Sequence, residues 1–443
     1  MSTTVDWAGE TSNETKSRPT TARLRWIDRA ARSAFAGRMG NLRTGQLTIV
    51  DPSGTLKLGD PAAELAARIE INNPRFYLRT IVGGSLAAGE AYVRGEWDCD
   101  DLPSLFRMLT ADSEAGGQLD GLTGAIGGWF HRLVHRLRAN TRHGSRRNIE
   151  VHYDLGNDFF ELMLDDTLAY SSGVFTSPEC SLREASIEKM DRICRKLDLR
   201  STDRVLEIGT GWGGWALHAA AHYGCHVTTT TLSRRQVETA ARRIDEAGLT
   251  NRVTLLNTDY RDLTGRYDKL VSIEMIEAVG HRYLDTFFRK CGELLKPDGS
   301  MALQAIVMPD RNYGRYLKSV DFIQRRVFPG GCLPSLGAIT ASTARTTELR
   351  FAHAENFGPH YARTLAAWRT RFESRLYDVR RLGYGEEFIR LWRYYLCYCE
   401  AAFEARYLGL VQLVFEGPRC RRDPIEMGVA AGSPRRDALE ESV

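Results

Sequence analysis

The sequence predicts an α/β protein: a doubly wound, Rossmann-like domain with helical insertions, preceded by a smaller α+β domain. Three observations predict it. Strand-like and helical runs alternate from Ser181 to Val307, which a parallel sheet with helices on both faces requires. A glycine-rich turn, Gly209-Thr210-Gly211-Trp212-Gly213-Gly214, falls between the first strand and first helix of that run. The segment 23–110 mixes short strand-like and helical runs of its own, and 443 residues are enough for two or three domains.

Taken in order, 1–22 is polar and Thr/Ser-rich and reads as a disordered leader. Within 23–110, strands are expected at 45–52 and 54–60, and helices at 62–71 and 102–109. The glycine-rich stretch 83–101 is not expected to be a long helix. Next, 111–150 is a basic linker. From His131 to Asn148 it carries six arginines, three histidines and no acid. Phe130, Leu133, Val134 and Leu137 fall at helical spacing opposite Arg132, Arg136 and Arg138, a pattern that suits an anionic membrane surface and equally a solvated linker helix packed by its apolar stripe.

The main domain spans 151–416. A helix at 181–199 presents Ile187, Met190, Cys194 and Leu197 on one face. Strands follow at 204–209, 225–232, 252–259, 267–275 and 300–307. Ser233 caps one intervening helix and Gly248 ends it. The remainder, 308–416, reads as mainly helical and aromatic, and 417–443 as a flexible tail.

Sixty Lys and Arg against fifty-six Asp and Glu leave a net charge of only +4, so a nucleic-acid partner is not expected. No apolar run reaches the ~20 residues of a membrane span, and no signal peptide is visible. Nine scattered cysteines without a CxxC pair suit a reducing cytoplasm. Secreted, integral-membrane, collagen-like and disordered classes are excluded on these grounds. No metal-ligand spacing stands out.

Gly209, Gly211 and Gly214 satisfy a GxGxxG pattern, which alone is weak. A dinucleotide site wants an acid after the second strand, or an arginine for a 2′-phosphate. That strand ends Thr230-Thr231-Leu232-Ser233-Arg234-Arg235, which disfavours NAD and leaves NADP open. The competing ligand is S-adenosylmethionine, whose ammonium Glu207 could face. A purely structural turn is the third reading.

The flanking blocks resemble the cyclopropane fatty-acyl-phospholipid synthase family, S-adenosylmethionine-dependent enzymes related to mycolic acid cyclopropane synthases. They are His152-Tyr153-Asp154-Leu155-Gly156-Asn157-Asp158-Phe159, Tyr170-Ser171-Ser172, Val205-Leu206-Glu207-Ile208-Gly209, Thr231-Leu232-Ser233, Asp259-Tyr260-Arg261-Asp262, Ser272-Ile273-Glu274-Met275-Ile276-Glu277, Phe328-Pro329-Gly330-Gly331-Cys332-Leu333-Pro334-Ser335 and Asn356-Phe357-Gly358-Pro359-His360-Tyr361. The resemblance implies a class I methyltransferase fold, and it removes the NADP reading. It also implies site roles. Tyr170 and Ser171 contact the cofactor's methionine end, and Gly209 and Gly211 let it lie on the loop. Thr231, Leu232 and Gln236 form the ribose region, while Tyr260 and Arg261 stand at the adenine end. Glu277, Tyr361 and the backbone of Ile306 match an anion pocket in which bicarbonate serves as base. His152 and Asp154 shape a cofactor lid. The chain departs from the family's usual pattern at Ser172 (cysteine), Ala278 (histidine) and Gln304 (histidine). Ser172 and Gln304 still donate hydrogen bonds, but neither accepts a proton efficiently near neutral pH.

The implied reaction is methyl transfer to the cis double bond of unsaturated phospholipid acyl chains, closed to a cyclopropane. A methylene- or methyl-branched product is the alternative within the family, and an inactive lipid-binding relative the alternative outside enzymology. An uncharged alkene needs alignment with the methyl donor, a proximity effect of ~7–11 kcal/mol. The cation that follows needs a dry site lined by π faces, for which Tyr170, Phe175, Tyr361, Trp392, Tyr394, Tyr395, Tyr398 and Phe403 are candidates. Expected partners are membrane phospholipids and an anionic membrane surface, with a homodimer admitted. The expected location is cytoplasmic, peripheral to the inner face of the cell membrane.

Overall fold

The computed structural model describes residues 25–40, 42–111 and 155–425. The leader, the basic stretch 131–148 with its candidate membrane helix, and His152 and Asp154 lie outside the described residues.

The N-terminal unit is a four-stranded sheet in the order β2-β1-β3-β4. Strands β1 (Gly45–Asp51) and β2 (Gly54–Gly59) form an antiparallel hairpin, and β3 (Leu65–Ile71) lies parallel to β1. The helix expected at 62–71 is therefore a strand. Its alanines favour helix, but Ala67, Ile69 and Ile71 are buried and alternate with exposed neighbours, a period of two that only a sheet face satisfies. Strand β4 (Trp97–Cys99) closes the edge. Helical backbone runs through Arg75–Val93 but is broken at Gly84, whose φ of 64° joins two shorter helices, so 83–101 holds no long helix, as expected. Phe35, Phe76, Tyr77 and Trp97 fill this core with edge-to-face and tilted ring contacts.

The larger unit holds a seven-stranded sheet ordered β10-β11-β9-β8-β5-β6-β7. Strands β5 (Arg204–Ile208), β6 (His226–Thr230), β7 (Val253–Leu256), β8 (Tyr267–Ile273) and β9 (Leu295–Val307) are parallel. The last of these begins five residues before the strand expected at 300–307. The sheet does not stop there. Strand β11 (Gly409–Glu416) runs antiparallel to β9, and β10 (Arg350–Asn356) antiparallel to β11, so the mainly helical stretch 308–416 also carries two strands that its sequence reading did not include. The aromatic helix ends at Glu404, Arg406 turns the chain with φ 56°, and Leu-Val-Gln-Leu-Val-Phe pairs as a buried strand. Residues beyond 416 continue to pack: Gly417 N–H donates to Gly299 O (2.8 Å) and Arg419 N–H to Pro297 O (2.8 Å).

Local signals explain the helices that frame the sheet. Ser181 caps Leu182–Leu197 in a reciprocal capping box with Glu184, and Ser233 caps Arg234–Glu246. The two units share one core along helix Glu386–Glu404. Tyr394 packs on Phe106 (4.9 Å) and Tyr92 (5.5 Å), while Arg390 donates to the carbonyls of Tyr92 and Trp97. Among the described residues no helix is long and apolar enough to cross a membrane, and no metal-ligating cluster occurs.

Candidate active site

The residues singled out from the sequence gather beyond the carboxyl ends of the parallel strands, where open α/β sheets bind ligands. Gly209 follows β5, Thr231 and Leu232 follow β6, Tyr260 and Arg261 lie beyond β7, and Glu277 lies beyond β8. Gln304 and Ile306 lie among the last four residues of β9.

The cofactor side is built on the loop after β5. Gly209 and Gly211 have φ of 109° and 54°. A Cβ on Gly209 would stand 3.1 Å from Met275, whereas one on Gly211 would meet nothing within 4 Å, so backbone is exposed there for a ligand to lie on. Glu207 is buried with one oxygen held by Thr229 Oγ1 (2.6 Å), and burial pushes its carboxyl up to about 8. No ion pair to Glu207 occurs among the described residues, so a cationic ligand group would relieve a desolvated acid. The loop and the acid together fit S-adenosylmethionine. Thr231 Oγ1 donates to Gln236 Oε1 (2.7 Å), and Lys189 donates to Ser171 Oγ (2.6 Å). Arg261 forms a fork on Asp259 (2.8 and 2.6 Å) and packs over Tyr260. Tyr170 OH meets Tyr395 OH at 2.9 Å.

The reactive side differs from the expected pocket. Three donors converge on a residue to which the sequence reading gave no role, Glu274. Its Oε1 accepts from Ser172 N–H (2.9 Å) and Gln304 Nε2 (2.7 Å), and its Oε2 from Tyr361 OH (2.7 Å). Ser172 thus contributes its backbone; its hydroxyl turns to Gly173 O (3.0 Å). Ile306 N–H donates to Glu277 Oε1 (2.6 Å), while Glu277 Oε2 is buried without a hydrogen-bond partner among the described residues. Burial first, then the neighbouring Glu274, pushes Glu277 up to about 8. Burial also raises Glu274 against its three donors and Lys189. The three donors favour the charged form of Glu274, whereas Glu277, with one oxygen unpartnered among the described residues and Glu274 beside it, is the member of the pair that more readily holds the proton. Bicarbonate does not fit this arrangement: its expected donors are spent on a side chain, and a second anion beside Glu274 would be repelled.

A buried amide chain fixes the orientation of Gln304. Lys196 Nζ donates to Gln412 Oε1 (2.7 Å), and Gln412 Nε2 to Gln304 Oε1 (2.9 Å). Lysine only donates, so each amide is locked and Gln304 Nε2 must point at Glu274. Lys196 is in turn paired with Glu355 (2.7 Å). Sequence reasoning missed Glu274, Lys189, Lys196 and Gln412; only Glu274 left a trace, as a second acid three residues before Glu277.

Both glutamates face a cavity of about 1420 Å³ that runs into the N-terminal unit. Phe35, Met39, Leu47, Ile69, Phe76 and Phe106 line it there, with Tyr394 and Tyr398 against Phe106, and Tyr170, Tyr361, Tyr395 and Phe403 also line it. Tyr361 stacks on Phe403 at 4.5 Å. Phe175 and Trp392 are not in its wall; they pack against His360 and against Phe159.

A Rossmann-like sheet with this strand order, a glycine loop after its first strand and a desolvated acid beneath that loop defines a class I S-adenosylmethionine-dependent methyltransferase. Residues 140–413 match the model of the mycolic acid cyclopropane synthetase family, and the chain belongs to that family. It is 39% identical over 348 residues to the tuberculostearic acid methyltransferase UfaA1 of Mycobacterium tuberculosis, covering 76% of this chain and 80% of that one. It is 35% identical over 362 residues to the cyclopropane-fatty-acyl-phospholipid synthase of Escherichia coli, covering 79% and 87%. The crystal structure of mycolic acid cyclopropane synthase CmaA1 complexed with SAH and CTAB superposes with a TM-score of 0.58 at 29% identity, covering 61% of this chain and 98% of that one. The chain is an S-adenosylmethionine-dependent C-methyltransferase of the cyclopropane synthase type, acting on lipid acyl chains.

Proposed function

We propose that the protein adds a methyl carbon across the cis double bond of an unsaturated phospholipid acyl chain and closes it to a cyclopropane, with Glu274 as the resident base. One observation carries this reading: a carboxylate held by three donors, from Tyr361, Gln304 and Ser172, faces a large cavity rich in aromatic and aliphatic side chains. S-adenosylmethionine supplies an electrophilic methyl when bound. The chain's own residues do the rest. The cavity wall excludes water and holds the alkene against the cofactor side, and the faces of Tyr170, Tyr361 and Phe403 attract the positive charge that develops on the acyl chain. Glu274 Oε2 keeps a free lone pair beside the Tyr361 hydrogen bond and takes the proton lost from the added carbon. Protonated Glu277 places no second negative charge there.

A methylene- or methyl-branched product is the second reading, reached when a hydride shift precedes proton loss. The departures at Ser172, Ala278 and Gln304 favour it, as does the likeness to a tuberculostearic acid methyltransferase. Mass analysis of phospholipids from a host expressing the protein tests both. A gain of one CH2 per chain supports methylation, and unchanged lipids refute it. Catalytic hydrogenation then separates them, since an exocyclic alkene takes up hydrogen under conditions a ring survives.

A further inference from the structure

The cavity wall includes residues that are also open to solvent, and these mark its mouth. Val82 (56% exposed) and Tyr407 (44%) are the large apolar ones, and Arg311, Arg315, Lys318 and Arg406 are the charged ones. Every exposed charged residue of the wall is thus a cation, while its three acids, Glu274, Glu277 and Asp321, lie deeper. Nearby cations are engaged: Arg107 with Glu404, Arg325 and Arg326 with Glu90, Arg390 with Asp98. None of the four at the mouth has an ion-pair partner among the described residues. The helix Arg75–Val93 kinks at Gly84 beside Val82, and Leu317, 37% exposed, neighbours Lys318, so apolar tips and cations share one rim.

We propose that this mouth docks on the phosphate plane of an anionic phospholipid bilayer, with Arg311, Arg315, Lys318 and Arg406 on the phosphates and Val82 and Tyr407 entering the interface. The proposal rests on the acyl-chain reading above and names the surface through which that chain enters. An acyl chain can fill an apolar cavity, but its phosphate cannot follow without a large desolvation penalty, so the phosphate must stop at the rim. A rim of cations without ion-pair partners among the described residues compensates it there, and long Arg and Lys stems let the charges reach the headgroups while their methylenes cover apolar surface. This places membrane contact on the cavity mouth instead of the basic linker.

Co-sedimentation of the full chain with sucrose-loaded vesicles of equimolar phosphatidylglycerol and phosphatidylcholine tests it, with SAH affinity as the control for folding. Each cation near an anionic leaflet is worth roughly fivefold in binding, so the variant Arg311→Gln/Arg315→Gln/Lys318→Gln should bind on the order of 100-fold more weakly. SAH affinity should hold. A control variant, Arg200→Gln/Arg234→Gln/Arg242→Gln, should bind vesicles as wild type does; an equal loss would mean diffuse charge and overturn the proposal. Wild-type binding by the rim variant, with binding abolished by Arg132→Glu/Arg136→Glu/Arg138→Glu, would also overturn it and assign the contact to the linker. Retained vesicle binding with turnover lost on a chain carried by an acidic acyl carrier protein would overturn it in favour of a protein partner. Lipid mass analysis with the wild type scores the methylation reading separately, because vesicle binding needs no turnover.

Discussion

Replacing Glu274 by glutamine tests the resident base with little disturbance of shape. The amide oxygen can keep the Ser172 and Gln304 bonds, while the amide nitrogen faces Tyr361 OH, which can turn to accept. Three charge-assisted bonds become neutral ones, but a desolvated charge is relieved, so stability should change by no more than about 2 kcal/mol. What disappears is proton acceptance, a contribution of roughly 10²–10⁴ in rate, or about 3–5 kcal/mol of barrier. Single-turnover transfer of labelled methyl should therefore slow by on the order of 10³, with SAH affinity nearly unchanged. Glu277→Gln should slow it by less than about tenfold, since glutamine mimics the protonated acid already present. Glu274→Gly would free the same three donors for a small anion, and formate or bicarbonate should restore part of its rate in proportion to concentration. The reasoning is refuted if Glu274→Gln keeps more than about a tenth of the wild-type rate, or if purging bicarbonate silences the wild type.

Tyr361→Phe removes a donor that favours ionised Glu274, so the carboxyl pKa should rise and the acid limb of the kcat–pH profile should move to higher pH, with kcat down ~10–100-fold. Gln412→Met leaves Gln304 Oε1 buried and unpaired and unlocks the amide; urea unfolding should show a loss of about 1–3 kcal/mol, and kcat should fall while SAH affinity does not. Glu207 and Glu277 each bind a proton more tightly folded than unfolded, both near 8, so the folded state holds more protons between the ordinary carboxylate range and that value. Stability should therefore fall as pH rises through this window and level off above about 8. In Glu277→Gln part of the slope should vanish, measured as Tm against pH.

The alternation from Ser181 to Val307 was readable because each strand is a β-branched or apolar run bounded by a cap or a glycine, and the structure pairs the runs in that order. Failures came where tertiary pairing overrides local preference. Residues 65–71 carry helix-favouring alanines, yet a parallel neighbour turns them into a strand. The aromatic helix hides its own end, since nothing local separates Glu404 from the strand at Gly409 except the left-handed turn at Arg406. The glycine loop and the acid below it were legible because their chemistry is local in sequence. The reactive site was only half legible. Ser172, Glu274, Gln304 and Tyr361 come from four separate segments, and no spacing rule says that a backbone N–H, an amide and a phenol will meet on one carboxylate. Lys196 and Gln412 are more remote still, on a helix and a strand whose pairing with β9 decides their role.

The backbone at Glu274 is held in a conformation that a chance contact would not maintain. Its φ of 50° is left-handed, a conformation that costs a residue with a side chain about 1–2 kcal/mol. Its N–H is anchored to Gln304 O (2.8 Å), so the turn is held by the same residue whose side chain donates to the carboxylate. Strain of this kind persists only where the surroundings over-determine it. Here they do so twice, through the β8–β9 pairing from below and through Tyr361 and Ser172 from the sides. In a right-handed conformation the side chain would leave these donors, and Gln304 Nε2 would keep only its long contact to Ser172 O (3.5 Å). The left-handed turn, the locked amide chain and the bonds from Tyr361 and Ser172 are therefore one arrangement, which fixes one carboxylate at the end of a cavity suited to an uncharged chain.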